Sequence, residues 1–295
     1  MKRGWRYYRN LLSFTIICLI IAFYIVLPII SAIRALHPIR YPLSISPADV
    51  GQAYEDVTLT TNDGLELSGW YIPSQNGAAV IALHAYNGDR SGTIYHADLL
   101  ADHGYGVLMI DLRAHGQSKG ELFPLGWDAD RDVYAALDYL QSRPELDPGR
   151  IGVLGLSIGA EVALQAASRD PRIQAVLAEG ASSQTFRGWM ISPDPPGWIL
   201  LPGDWVFFKS IELLSGVKSV DPLSEIVPHI SPRALFLISA GGDTPFARVH
   251  YAAAKEPKLY WERNEEGHID ALFAHPKEYA QKVIEFFDHA LLEGN

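Results

Sequence analysis

Cysteine is almost absent: Cys18 stands alone among 295 residues. One thiol closes no intrachain disulfide and builds no cysteine zinc site, and this one lies in an apolar run, away from any thiolate chemistry. Histidine occurs ten times, yet no two fall in His-x-x-x-His or His-Glu-x-x-His spacing, so no metal site is expected. Positive charge is scarce too, with a net charge of −10. A nucleic-acid partner needs a basic face, so none is expected.

Acid is missing locally. Residues 1–40 contain Lys2, Arg3, Arg6, Arg9, Arg34 and Arg40 and no Asp or Glu, a charge of +6 that leaves −16 on the other 255 residues. Within this basic end, residues 11–33 ("LLSFTIICLIIAFYIVLPIISAI") carry no charge. As a helix they would extend roughly 35 Å, enough for a hydrocarbon core of about 30 Å. Trp5, Tyr7 and Tyr8 precede the run, where interfacial aromatics belong. The run exceeds a signal-peptide core, and Ile30-Ser31-Ala32 is a poor cleavage site, so an uncleaved membrane anchor is expected. Four basic residues before it and two after favour a cytoplasmic amino terminus and an extracytoplasmic domain. Residues 1–36 thus read as basic segment and anchor. Residues 37–54, with Pro38, Pro42 and Pro47, read as an extended tether.

From residue 55 to 295, strand and helix patterns alternate. "EDVTLTT" and "LELSGWYIP" flank "NDG", a hairpin signal. "AAVIALH", "GVLMIDL", "RIGVLGL", "IQAVLAEG", "RALFLISAG" and "PKLYWER" follow as short strands. Between them lie helical patterns over 90–103, 127–142, 158–168 and 245–254, and 275–292 closes the chain. Near-continuous apolar strands alternating with helices predict an α/β fold: a mostly parallel eight-stranded sheet with helices on both faces. Residues 181–228 break the rhythm with Trp189, Trp198 and Trp205 among prolines and glycines, and are expected to form a small cap-like insertion.

Two segments fit Gly-x-Ser-x-Gly: "GQSKG" around Ser118 and "GLSIG" around Ser157. A nucleophile elbow needs a strand running into a tight turn and then a helix, whose amides face the reacting oxygen. Ser157 has "RIGVL" before it and "AEVALQAAS" after it, whereas Ser118 is followed by "ELFPLGW", where Pro124 and Gly126 oppose a helix. Ser157 is therefore the expected nucleophile. A hydroxyl needs a base, and the fold's chain order is Ser, then acid, then His. His268, in the polar "NEEGHID" after the last strand, is the expected base; His275 and His289 belong to the closing helix, and His229 and His250 come too early. Asp243, at the end of "RALFLISAGGD", is the expected acid, ahead of Asp221 and Asp270. Two backbone amides would hold the oxyanion: Ile158, after the nucleophile, and Tyr86 (or Ala85) in "HAYNGDRSG". His84 reads as a structural ring beneath that loop.

Together, residues 84–90, "DLRAHGQSKG", "GLSIG", "GGDTP" and "EGHID" resemble the α/β-hydrolase superfamily, in particular membrane-anchored serine hydrolases related to the prolyl oligopeptidase and serine aminopeptidase families. The resemblance covers roughly 55–292. It implies that the segment holding Ser118 is structural. Where the family usually has His-Gly, this chain has His84-Ala85. The expected activity is hydrolysis of an ester-type acyl bond through an acyl-enzyme, with no cofactor. The substrate is a small acyl compound, lipid-like ones included. A peptidase acting on short peptides or aminoacyl amides is the alternative within enzymes, thioester hydrolysis stays open, and a membrane-anchored scaffold is the non-enzymatic alternative.

Overall fold

The computed structural model describes residues 2–191, 197–263 and 267–293. Part of the expected cap and three residues of the loop before His268 lie outside the described residues.

A long amino-terminal helix opens the chain: α1 (Lys2–Ile21), a π turn (Ala22–Val26) and α2 (Leu27–Leu36). Pro28 falls in the first turn of α2, where its missing N–H costs little. Over Gly4–Leu36 this is the one helix among the described residues long and apolar enough to cross a membrane. Its side chains are mostly exposed up to Ile30, whereas Ala32 and Leu36 are buried.

Eight strands then form one sheet in the order β1-β2-β4-β3-β5-β6-β7-β8. β1 (Glu55–Thr60) and β2 (Glu66–Ile72) are the antiparallel hairpin, and β2 also runs antiparallel to β4 (Gly106–Ile110). β3 (Ala79–Leu83), β5 (Ile151–Leu156), β6 (Ile173–Glu179), β7 (Ala234–Ser239) and β8 (Lys258–Glu262) complete the parallel part. The central strands are buried on both faces, hence their unbroken apolar runs.

Alternation sorts those side chains into two cores. Ile81 and Leu83 of β3 and Val153 of β5 face one core with α4 (Asp130–Gln141), α5 (Ile158–Arg169) and α8 (Leu223–Ile226). Val80 and Ala82 face the other, with α3 (Ile94–Asp102) and α11 (Pro276–Phe287). The remaining helices are α6 (Phe186–Ile191), α7 (Leu201–Ser215), α9 (Thr244–Ala253) and α10 (Ala271–Ala274).

A third, smaller core was not anticipated. Ala32 and Leu36 pack with Trp127 and with Ile211 of α7, beside Phe207 and Phe208. Burial of each large apolar side chain here contributes about 1.5–3 kcal/mol. The end of the long helix is therefore part of the domain's packing. Residues 37–46 carry no regular structure, but Pro47–Val50 form a short 3-10 helix, so the segment is not the uniformly extended tether expected, and it is held down along the domain. The Ile39 amide donates to Asn87 Oδ1 (2.9 Å), Arg40 donates to the carbonyls of Ser118 (2.8 Å) and Gly120 (2.7 Å), and Gln52 donates to Asp98 and Asp102.

Candidate active site

β5 runs straight into Ser157, and α5 starts at the next residue. Ser157 has φ 55° and ψ −120°, a conformation that costs a non-glycine residue about 1–3 kcal/mol. Its amide donates to the Glu179 carbonyl (2.8 Å), which ties the turn to β6. The two glycines of the motif have a steric cause. A Cβ on Gly155 would lie 2.3 Å from the Gly159 carbonyl oxygen, and one on Gly159 would lie 2.5 Å from that of Leu83. Strand, turn and helix pass too close for any side chain.

Three expected residues come together at this turn. His268 Nε2 lies 2.8 Å from Ser157 Oγ, and His268 Nδ1 lies 2.6 Å from Asp243 Oδ2. Asp243 arrives in the short 3-10 turn after β7; His268 follows β8. The Asp243 hydrogen bond holds the imidazole pKa above its ordinary value, against a partial burial that would lower it. Ile158 opens α5, so its amide has no carbonyl within the helix to bond. Tyr86, Ile158 and Ser157 line one cavity of about 270 Å³, together with Trp189, Phe207 and Phe208. The Tyr86 hydroxyl donates to the carbonyls of Arg34 (3.3 Å) and Ala35 (3.1 Å), at the end of α2. A larger hollow of about 530 Å³ beside β8 and α11 contains none of these residues.

The other serine sits elsewhere. Ser118 is fully buried; its Oγ donates to the Asp111 carbonyl (2.6 Å) and accepts from the Ser68 amide (2.9 Å). Around it, Arg113 bonds the carboxylates of Asp132 (2.7 Å), Asp128 (2.8 Å) and Asp63 (3.1 Å), and Arg90 bonds Asp111 (2.5 Å). "DLRAHGQSKG" is thus a buried network that braces the sheet. His84 is a buried ring: its Nε2 accepts from the Leu112 amide (3.1 Å), so Nδ1 carries the proton donated to the Ala85 carbonyl (2.8 Å). The remaining candidates have other partners. Asp270 pairs with Arg263 (2.6 Å), His250 Nε2 lies 2.8 Å from the Ser182 carbonyl, and His275 packs edge-on against Trp261.

Two carboxyls escaped the sequence reading. Glu161, one turn after Ser157, lines the same cavity and accepts from the Ser182 hydroxyl (2.8 Å) and amide (3.1 Å). Burial pushes its pKa up to about 7. Glu179, at the end of β6, accepts from the Ala271 amide (2.9 Å), and burial also pushes it up to about 7. Both favour the protonated form of His268. An acid in a helix's first turn reads as a dipole partner, which hid Glu161. Among the described residues no group of three His, Cys, Asp or Glu is placed to hold a metal ion.

Residues 50–198 match the family model of the X-Pro dipeptidyl-peptidases (S15 family). The chain belongs to this family of α/β-hydrolases. This hydrolase is 30% identical over 223 residues to an uncharacterized protein of Mycobacterium tuberculosis, covering 73% of this chain and 72% of that one. It is 27% identical over 272 residues to the alpha/beta hydrolase domain-containing protein WAV2 of Arabidopsis thaliana, covering 84% and 82% of the two chains. Among solved structures, the Pyrococcus furiosus esterase Pf2001 superposes with a TM-score of 0.70 at 26% identity, covering 87% of the hydrolase and 98% of the esterase. The fold is thus that of the α/β-hydrolases: a mostly parallel eight-stranded sheet, with one apolar helix at the amino terminus.

Proposed function

We propose that this hydrolase cleaves an ester-type acyl bond by nucleophilic catalysis. Ser157 Oγ attacks the acyl carbonyl carbon while His268 Nε2 takes its proton. Asp243 holds the imidazole in the required tautomer and stabilises the imidazolium. The Ile158 and Tyr86 amides face the oxyanion, each contributing on the order of 3 kcal/mol. When the intermediate collapses, the ester C–O bond breaks and His268 returns the proton to the leaving alcohol. Water, deprotonated by His268, then attacks the acyl-Ser157 carbonyl. The acid leaves and Ser157 Oγ regains its proton, so ester and water become acid and alcohol. The observation that carries this reading is His268 bridging Ser157 at 2.8 Å and Asp243 at 2.6 Å. The likeness to an esterase structure supports the ester as substrate. A fluorophosphonate probe on the full-length protein in detergent should label wild type and not Ser157→Ala. No labelling of folded wild type would favour the scaffold alternative.

A second reading has an observation of its own. Glu161 is a buried carboxyl in the Ser157 cavity, placed to receive a substrate ammonium, as an aminoacyl amide or short peptide would carry. The S15 family match is consistent with it. Glu161→Gln should abolish aminoacyl-amide turnover if this reading holds and leave nitrophenyl esters unaffected.

We also propose that the apolar run 11–33 of this helix spans a membrane once, with the amino terminus in the cytoplasm and the domain outside. In this division residues 1–36 are the anchor, 37–54 the connecting strap and 55–295 the hydrolase domain, with 181–228 as a cap over the cavity. Protease added to spheroplasts should then clip the domain; full protection would reverse the orientation.

A further inference from the structure

α7 lies along the end of the long amino-terminal helix, and between them runs a third hollow, of about 230 Å³. One side is Phe23, Leu27 and Pro28; the other is Leu200, Gly203 and Phe207. At Gly203 the two helices lie near contact distance: a Cβ there would meet Pro28 Cγ at 3.4 Å, so a larger side chain would enter the groove. Phe207 also lines the Ser157 cavity, as does Ala35, further along the amino-terminal helix. The interhelical groove and the cavity thus share Phe207 as a lining residue. From Pro28 to Ala35 the helix advances about 10 Å, so the groove leads from the apolar span toward Ser157. The single acid in the groove is Asp204, whose Oδ2 is buried without a hydrogen-bond partner.

The outer surface of this region is equally apolar. Between residues 197 and 208 ("GWILLPGDWVFF") Asp204 is the only charged side chain. Trp198 is 80% exposed and Trp205 51%, with Ile199 and Leu200 exposed beside them. An apolar surface rich in tryptophan and continuous with a membrane-length helix suits the interfacial zone of a bilayer. An aqueous substrate would have no need of an apolar route opening toward that helix.

We infer that α7 is bedded in the same bilayer as the amino-terminal helix, and that Ser157 draws its substrate, a long-chain acyl ester of a membrane lipid, through the groove between them. The inference rests on the reading of Ser157 as nucleophile and of residues 11–33 as a membrane span. The acyl chain occupies the groove and its carboxyl carbon reaches Ser157 past Phe207. The products are the fatty acid and the lipid alcohol, by the steps given above.

The test uses the full-length protein in palmitoyl-oleoyl phosphatidylcholine nanodiscs that contain a pyrene-labelled long-chain monoacylglycerol, with water-soluble nitrophenyl acetate as a second substrate. Trp198→Glu/Trp205→Glu places charge on the outer surface, and Gly203→Leu fills the groove; neither touches the Ser157 cavity. Each variant should lose long-chain turnover by on the order of tenfold or more. Nitrophenyl acetate turnover and fluorophosphonate labelling should match wild type. Unchanged long-chain turnover in both variants would overturn the proposal. So would a wild type that hydrolyses nitrophenyl acetate and leaves the bilayer ester intact. Chain-brominated phosphatidylcholine should quench wild-type fluorescence more than that of Trp198→Phe/Trp205→Phe, whether or not the protein is catalytic. Equal quenching would remove α7 from the bilayer. Loss of all labelling in wild type would instead sink the nucleophile reading, and the substrate proposal with it.

Discussion

Gly159, in the first turn of α5, lies so close to Leu83, at the end of β3, that a Cβ would stand 2.5 Å from the Leu83 carbonyl oxygen and 2.7 Å from that of His84. Both obstacles are backbone in the sheet's centre and cannot swing aside. Gly159→Ala should therefore destabilise the protein by about 3 kcal/mol or more. Gly216 and Gly197 stand apart from such crowding, and Gly197→Ala, which meets nothing within 4 Å among the described residues, should be neutral. Denaturant melts of the two variants check this.

The two motif serines should separate stability from chemistry. Ser118→Ala leaves the Ser68 amide and the Asp111 carbonyl without their hydroxyl partner, at a cost of about 1–3 kcal/mol per buried group. Its fluorophosphonate labelling should persist. Ser157→Ala should lose labelling and keep its melting temperature.

Activity should depend on pH through His268. The base form is the neutral imidazole, and Asp243 raises the pKa above the ordinary 6.5. Ester kcat/KM should therefore rise with pH, with a midpoint above 6.5, and fall as acid protonates the ring. Asp243→Asn removes the cause of the shift. Its midpoint should drop and kcat should fall by about 10⁴-fold, because the ring loses its tautomer. The same raised pKa has a stability consequence: the Asp243 contact stabilises the fold below the unfolded histidine pKa, and that contribution fades as pH climbs through the folded one.

Glu161 has the opposite character to a salt-bridged carboxylate. Its folded pKa is about 7 against 4.5 for the free group, so the native state binds the proton more tightly. Stability attributable to it is full below about 4.5 and lost as pH climbs through 7. Glu161→Gln keeps an oxygen for Ser182 and removes the titration. Thermal melts across that window should show a smaller loss of stability with rising pH in the variant.

Why some of this was legible in the sequence is a matter of range. The strands from β3 to β7 are covered on both faces, so each had to be an unbroken apolar run. Ser157 stood out because strand, glycines and helix are adjacent in the chain. His268 and Asp243 could be placed because the fold brings the carboxyl ends of β7 and β8 to the same edge as that turn. α7 did not show: Pro202 and Gly203 read as breakers, yet in a first turn proline has no bond to lose. The docking of Leu36 against Trp127 and Ile211 joins residues more than ninety positions apart, and no local pattern records it. Glu161 was in plain view, but only burial beneath Ser182 distinguishes it from an ordinary helix-opening acid.

Because the Tyr86 hydroxyl is moored to the carbonyls of Arg34 and Ala35, the amino-terminal helix is a wall of the cavity that holds Ser157. Trimming it away for soluble expression would leave Tyr86 without its mooring, strip a lining residue from around Ser157 and lay bare the flank of Trp127. Such a fragment would be a different catalyst, and its kinetics would describe the amputation as much as the enzyme.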